Sequence, residues 1–431
     1  MHLATQFHRE SIINTIIRHD EIKLNTPDVF NMTPLTYAFD TEQYATLAIF
    51  LSEMKKQHAS GNDDQPFDPN ELLHFVSNNK SDLVDLIVEL LTAVGWGQGE
   101  DGETGGSLLH SAAKNDDIKT MGALLKKGNV DINKRAERPG IFGSDMLWQE
   151  GDTPLHVAAR TASLNAIKFI VENGGDEKVF NSRGLAPLHL AVKSGSLEAV
   201  KSLVESIDGI AIAIKSGDKT TPLHIASYSG NVQIAKYLIE NDASVHLQNH
   251  EGWTPLHHAA ECNQVKIIQL LVASEANIDA RSKNTNTPLH TAVVNREIDA
   301  VECLLALGGL VNARGDKNFT PLHKAAKAGD ALIARTLLNA GARYDHRAEN
   351  KNTPLHTAAA HGKGEPLKIL VAHHTEHSTD LNKSGFNGWN PLHQASIGGH
   401  VGAMEVLIDS GVKINHDDDF NLDTALHLAA R

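Results

Sequence analysis

The sequence predicts an all-α solenoid of about twelve helix-turn-helix units with projecting hairpin loops. Three observations lead there. The tetrapeptide TPLH recurs at 153–156, 221–224, 254–257, 287–290, 320–323 and 353–356, with close variants APLH at 186–189, NPLH at 390–393 and TALH at 424–427. Its histidines fall at 156, 189, 224, 257, 290, 323, 356, 393 and 427, so the spacing stays within 33 to 37 residues. And the chain is 431 residues long, beyond the roughly 250–300 residues at which one core stops growing, with only 5% aromatic residues.

Each repeat reads in the same order. In 253–280, WTPLHHAAECNQVKIIQLLVASEANIDA, Thr254 is placed to cap a helix with its hydroxyl. Pro255 follows at the first helical position, where a missing N–H costs nothing. A short helix, LHHAAECN, comes next, then a turn, then a second helix, VKIIQLLVAS, with apolar residues at helical spacing. A polar connection, EANIDARSKNTN, leads to the next repeat.

The period continues backwards in weaker form through SLLH (His110), ELLH (His74) and TPLT (Thr36) to His2. Residues 1–106 form a divergent N-terminal region with polar, Gly-rich loops at 59–70 and 95–107; residues 107–431 form the regular array. The divergent region is either a cap, which a solenoid end needs, or a separate binding surface. Between His110 and His156 the gap is 46 residues, and the excess falls in a hairpin insertion at about 134–152. It carries Ile141, Phe142, Met146, Leu147 and Trp148, apolar residues that either fold back or bind something. The last repeat is incomplete: Leu426, Leu428 and Ala429 make no polar cap, and the expectation is that Arg431 bounds a piece of a longer protein.

The T-P-L-H-x-A signature and this helix-turn-helix order resemble the ankyrin repeat. The resemblance covers nearly the whole chain and is most specific from residue 107 onward. It implies hairpins projecting to one side, and a concave groove, lined by hairpins and first helices, that binds other proteins. On this pattern the residue before Thr-Pro and the end of the first helix face the groove. These positions hold Leu185, Trp253, Phe319 and Trp389, and, four residues after the repeated histidine, Arg160, Lys193, Tyr228 and Lys327. Aromatic residues mixed with basic ones are the usual composition of binding hot spots. Phe142 and Trp148 of the insertion are second candidates. The family also implies a modification reading: hairpin asparagines can be substrates of an asparaginyl hydroxylase, and Asn133, Asn312, Asn382 and Asn415 occupy that place.

Composition narrows the function classes. A formal net charge of −14, without a basic cluster, argues against nucleic acid as a partner. The apolar runs are far shorter than the ~20 residues of a membrane span, so no membrane insertion is expected. The N-terminus MHLATQFHRES has no secretory pattern, and the N-x-S/T triplets at Asn31, Asn79 and Asn318 are read as coincidence. Two cysteines, Cys262 and Cys303, make no disulfide scaffold and suit a cytoplasmic setting.

Twenty-five histidines invite a metal or catalytic reading. Most of the repeated ones fill one slot, however, and slots one repeat apart lie too far from each other to share an ion at ~2 Å. Their expected role is to bond the Thr hydroxyl or hairpin backbone and pin neighbouring repeats. HHTEH at 373–377 matches the H-x-x-E-H zinc pattern through His373, Glu376 and His377, but is placed where a second helix frays into its loop. GQGEDG at 97–102 lacks a preceding strand, and Glu100 and Asp101 would repel phosphate. DDDFNLD at 417–423 has Leu422 and Leu428 where a calcium loop needs Gly and Glu. No cofactor and no metal is expected.

The expected function is a noncatalytic, monomeric scaffold or adaptor that binds one or more proteins. The alternatives are the recognition arm of a larger enzyme, channel or host-directed bacterial effector, the last acting in a host cytosol, and a hydroxylase substrate.

Overall fold

The computed structural model describes residues 105–127, 130–137, 140–142, 145–206, 210–417 and 422–430, together with scattered positions between 5 and 53. The loop at 59–70, the repeat at His74 and the GQGEDG stretch lie outside the described residues, as do Asp418 to Asn421. The chain divides into two compact units, Met1–Gly217 and Asp218–Arg431.

The first unit holds α1 (Glu10–Ile17), α2 (Gly105–Lys114) and α3 (Ile118–Lys127), then a short antiparallel pair, β1 (Gly140–Phe142) and β2 (Asp145–Trp148). The helix pairs α4 (Pro154–Thr161) with α5 (Leu164–Glu172) and α6 (Pro187–Ser194) with α7 (Leu197–Ser206) follow. Strands β1 and β2 lie within the inserted stretch. Its base is closed by Ala136 N–H donating to the Asp152 carbonyl at 2.8 Å and Gly151 N–H to the Ala136 carbonyl at 2.7 Å.

The second unit repeats one motif. Its pairs are α8 (Pro222–Ser229) and α9 (Val232–Glu240), α10 (Pro255–Glu261) and α11 (Val265–Ala273), and α12 (Pro288–Asn295) and α13 (Ile298–Ala306). They continue with α14 (Pro321–Ala328) and α15 (Ala331–Asn339), α16 (Pro354–Ala360) and α17 (Gly364–Glu376), and α18 (Pro391–Ile397) and α19 (Val401–Asp409), ending at α20 (Ala425–Ala430). Within this unit first helices pack on first helices and second helices on second helices.

Local chemistry sets the helix starts. Thr287 is extended (φ −93°, ψ 168°) and Pro288 opens α12 with its fixed φ and absent donor. The same start recurs at Thr153, Thr221, Thr254, Thr320 and Thr353. Packing then follows the consensus. The leucines of the tetrapeptide, from Leu155 to Leu392, are at most 1% exposed. The alanine two residues after each histidine, from Ala158 to Ala395, is fully buried. A single methyl there lets neighbouring first helices approach, and a larger side chain would overpack the contact. Second helices bury a stripe such as Ile267, Ile268 and Leu271, all inaccessible.

The slot histidines form the links expected of them. In His290, Nδ1 lies 2.9 Å from the Thr287 hydroxyl and 3.2 Å from the Thr287 N–H, while Nε2 lies 2.9 Å from the carbonyl of Phe319 in the next repeat. A carbonyl only accepts, so Nε2 carries the proton and Nδ1 accepts from both threonine groups. His224 bonds to Trp253 O at 2.9 Å in the same way, His257 to Asn286 O at 3.1 Å and His323 to Asn352 O at 3.1 Å. In the first unit, His156 reaches Leu185 O at 2.9 Å and His110 reaches Asp152 O at 2.7 Å.

One sequence expectation is corrected. HHTEH does not fray. Helix α17 has 13 residues where α15 and α11 each have 9. The four extra residues of this repeat add one helical turn, close to the 3.6-residue pitch, so the apolar stripe keeps its phase and the helix continues.

These links make the fold sensitive to acid. Burial, the largest cause, lowers the pKa of His257, His290, His323 and His356 to about 4 and pushes His156 the same way. An unfolded histidine titrates near 6.5. The stability these groups contribute is therefore complete above pH ~6.5 and is lost as pH falls towards 4, at up to about 1.4 kcal/mol per pH unit for each. Thermal melts should show the midpoint dropping steadily between pH 7 and pH 5; an unchanged midpoint would contradict the assignment. Gly315 is equally constrained: a Cβ there would collide with Asn286 Oδ1 and sit 2.8 Å from His290 Nε2. Gly315→Ala should cost about 1–3 kcal/mol in chemical denaturation by overpacking, with an unaltered value counting against the steric reading.

Candidate protein-binding surface

The aromatic residues before Thr-Pro serve two neighbours at once. Trp253 gives its carbonyl to His224, and its ring lies over its own repeat's His257, centroids 5.9 Å apart and planes 24° apart. Phe319 gives its carbonyl to His290 and stacks on His323 at 5.2 Å and 14°. Both rings remain half-exposed. The Lys324 ammonium lies 5.5 Å from the Phe319 centroid, a cation–π contact, and its partial burial lowers its pKa. Trp389 accepts from His356 Nε2 at 3.2 Å and meets the exposed Phe386 edge-on at 5.9 Å.

Residues from adjacent repeats converge at His258. Its ring lies 5.1 Å from Trp253 and 6.1 Å from Tyr228, the latter 55% exposed. Asn249 and Glu261 hold the two ring nitrogens at 3.3 Å each. Burial, and then His224 and His257 nearby, lower the His258 pKa to about 4. A neutral histidine thus joins two aromatic side chains into one amphipathic patch.

Tyr228 stands four residues after its slot histidine. The same register holds Val294 and Ile397, which are 52% and 54% exposed. These two apolar positions escape a search for aromatic and basic side chains, although the register alone locates them. Lys193 and Lys327 occupy it too and are exposed.

Other predicted site residues are engaged within the protein. Arg160 forms an ion pair at 2.7 Å with Asp152, whose side chain is fully buried. Asp152 also accepts from Gln149 N–H at 2.7 Å and Asn181 Nδ2 at 2.8 Å, so it ties the inserted stretch to the next hairpin. Leu185 is half-buried and gives its carbonyl to His156. Trp148 is only 6% exposed, clusters with Ala136 and Val157, and lies 5.6 Å from the His110 ring. It turns inward, because a large indole in a projecting loop is more stable against the core. Phe142 lies in β1, and its side chain is outside what the structure describes.

The asparagines fasten hairpins together. Asn133 donates to Gly174 O at 3.0 Å and accepts from Asp176 N–H at 2.7 Å. Asn312 repeats this with Gly341 O at 3.1 Å and Arg343 N–H at 2.7 Å, and Asn382 accepts from Lys413 N–H at 2.7 Å. Asn415 is exposed.

A shallow cleft of about 170 Å³ lies between hairpins beside Gln248, Asn277 and Arg281. Small-molecule sites usually enclose about 300–1,000 Å³. Cys262 and Cys303 are half-buried free thiols whose pKa burial raises, which disfavours the thiolate a nucleophile requires. Among the described residues no helix is long and apolar enough to cross a membrane.

Capped helix pairs, histidine links and a lined hairpin face define an array of ankyrin repeats. The family profile "Ankyrin repeats (3 copies)" matches residues 140–215, 208–282, 270–348, 306–379 and 355–431, more than half of the chain, and the chain belongs to the ankyrin-repeat proteins. Such repeats mediate protein–protein interaction. Alpha-latrotoxin-Lt1a of Latrodectus tredecimguttatus and alpha-latrotoxin-Lhe1a of Latrodectus hesperus are each 43% identical over 54 residues, 12% of this chain and 4% of the toxins' length. The human ASB11 ankyrin repeat domain aligns over 47% of this chain and 90% of its own, at 29% identity and a TM-score of 0.44.

The Arg160–Asp152 pair separates an engaged basic residue from an exposed one, Lys193, in the same register. Arg160→Ala leaves a buried carboxylate without its counter-ion and should destabilise the protein by about 3 kcal/mol. Lys193→Ala, at an exposed position, should change stability by less than about 0.5 kcal/mol. Equal effects in denaturant melts would refute the distinction.

Proposed function

We propose that this protein is a noncatalytic scaffold or adaptor that binds a partner protein through the aromatic patch of its second unit. The observation that carries this reading is the meeting of Tyr228, Trp253 and His258 from adjacent repeats, with Val294 and Ile397 exposed in the register of Tyr228. Exposed apolar and aromatic groups on a rigid backbone favour association, because little ordering cost opposes the burial they gain. Lys327 in this register and Lys324 three residues before it suit an acidic or amphipathic partner segment.

Tyr228 separates binding from folding better than Trp253 or Phe319, whose rings also stack on slot histidines. Tyr228→Ala combined with Ile397→Ala should reduce partner recovery in affinity capture at least tenfold. The melting midpoint should stay close to that of the parent. Undiminished recovery would move the interface elsewhere.

A further inference from the structure

The extra turn of α17 brings together side chains that lie outside the repeated histidine links. The four residues that lengthen this helix are His373, His374, Thr375 and Glu376, and His377 follows at its C-cap. On a helix, positions i, i+3 and i+4 share a face. Ligand atoms of His373, Glu376 and His377 accordingly lie within 4.8 Å of one another, and Glu376 and His377 are exposed. The His373 and His377 ring centroids are 4.3 Å apart.

The hydrogen bonding has prepared one ligand. His377 Nδ1 lies 2.8 Å from the carbonyl oxygen of His373. That oxygen can only accept, so Nδ1 carries the proton and Nε2 presents its lone pair. A backbone carbonyl fixing the tautomer in this way is the usual outer-shell arrangement of a metal-bound histidine. Tyr344 supports the rings from beside the helix: its centroid is 4.8 Å from His373 and 5.7 Å from His377. Its neighbour His374, by contrast, is buried and bonds the Thr379 hydroxyl at 2.7 Å, so it stays out of the set.

We infer that His373, Glu376 and His377 form a surface site for a divalent transition ion of the zinc class. Two imidazoles and a carboxylate are a borderline-soft donor set suited to Zn²⁺ rather than to Ca²⁺ or Mg²⁺, which take oxygen ligands. A tetrahedral ion with bonds of ~2 Å needs donor atoms roughly 3.3 Å apart. The remaining closure falls to rotation of the exposed Glu376 and His377 side chains towards the half-buried His373. Three protein ligands leave a fourth position for water or for a donor from a bound partner. The bound ion would staple the last turn of α17 and thereby stabilise it.

The 431-residue chain, stripped with chelator, should be titrated with ZnCl₂ by calorimetry beside His373→Ala/His377→Ala, with far-UV circular dichroism confirming equal helicity. Because many other histidines are present, the expected result is a difference: one more equivalent bound by the parent. Glu376→Gln should weaken that equivalent by at least ~10-fold. Zn²⁺ should raise the melting midpoint of the parent and leave the double variant unmoved. Equal stoichiometry and affinity in parent and double variant would overturn the site, and undiminished affinity in Glu376→Gln would remove the three-ligand set.

Discussion

The structure depends on one interaction repeated along the chain: a buried, neutral imidazole that accepts from the N-cap residue of its own helix, threonine in most repeats, and donates to a carbonyl in the next repeat. The two ring nitrogens have opposite roles, and the tautomer is chosen by the carbonyl, which cannot donate. A hydroxyl or an amide could satisfy one side. A neutral imidazole satisfies both, across the separation of two helical layers. Local capping and the contact between repeats thus become a single event, and a repeat without its neighbour leaves a donor of the ring unused.

This coupling explains which departures from the period the array tolerates. Four added residues in the repeat that follows His356 enter a helix, because four residues are nearly one turn and the buried stripe stays in phase. The larger insertion before His156 enters a hairpin, where length is not tied to a helical phase. There Asp152, Arg160 and Asn181 join it to the adjoining hairpin, and Trp148 anchors it against His110. Both insertions leave the histidine links in place on either side.

What remains after linking and packing is the surface from which a function is argued. Trp253 and Phe319 show why single residues divide poorly into structural and surface classes: their carbonyls and one ring face belong to the fold, while each residue stays half-exposed. Tyr228, Val294 and Ile397 carry no such internal duty in this register and are more than half exposed.

The sequence by itself determined the all-α repeat, its period, its helix starts, and the structural duty of the slot histidines. Each of these follows from short-range chemistry that recurs in every repeat: a cap, a proline, and an apolar spacing. The tertiary structure alone decided the fate of individual side chains. Arg160 appeared free in sequence until Asp152, buried eight residues earlier, claimed its charge. HHTEH read as loop until helical phase carried it into α17. His258 gave no sign of collecting Trp253 and Tyr228 around it. These outcomes turn on which groups from different repeats arrive within a few ångströms of each other, and a repeating sequence holds that information only in the places where it stops repeating.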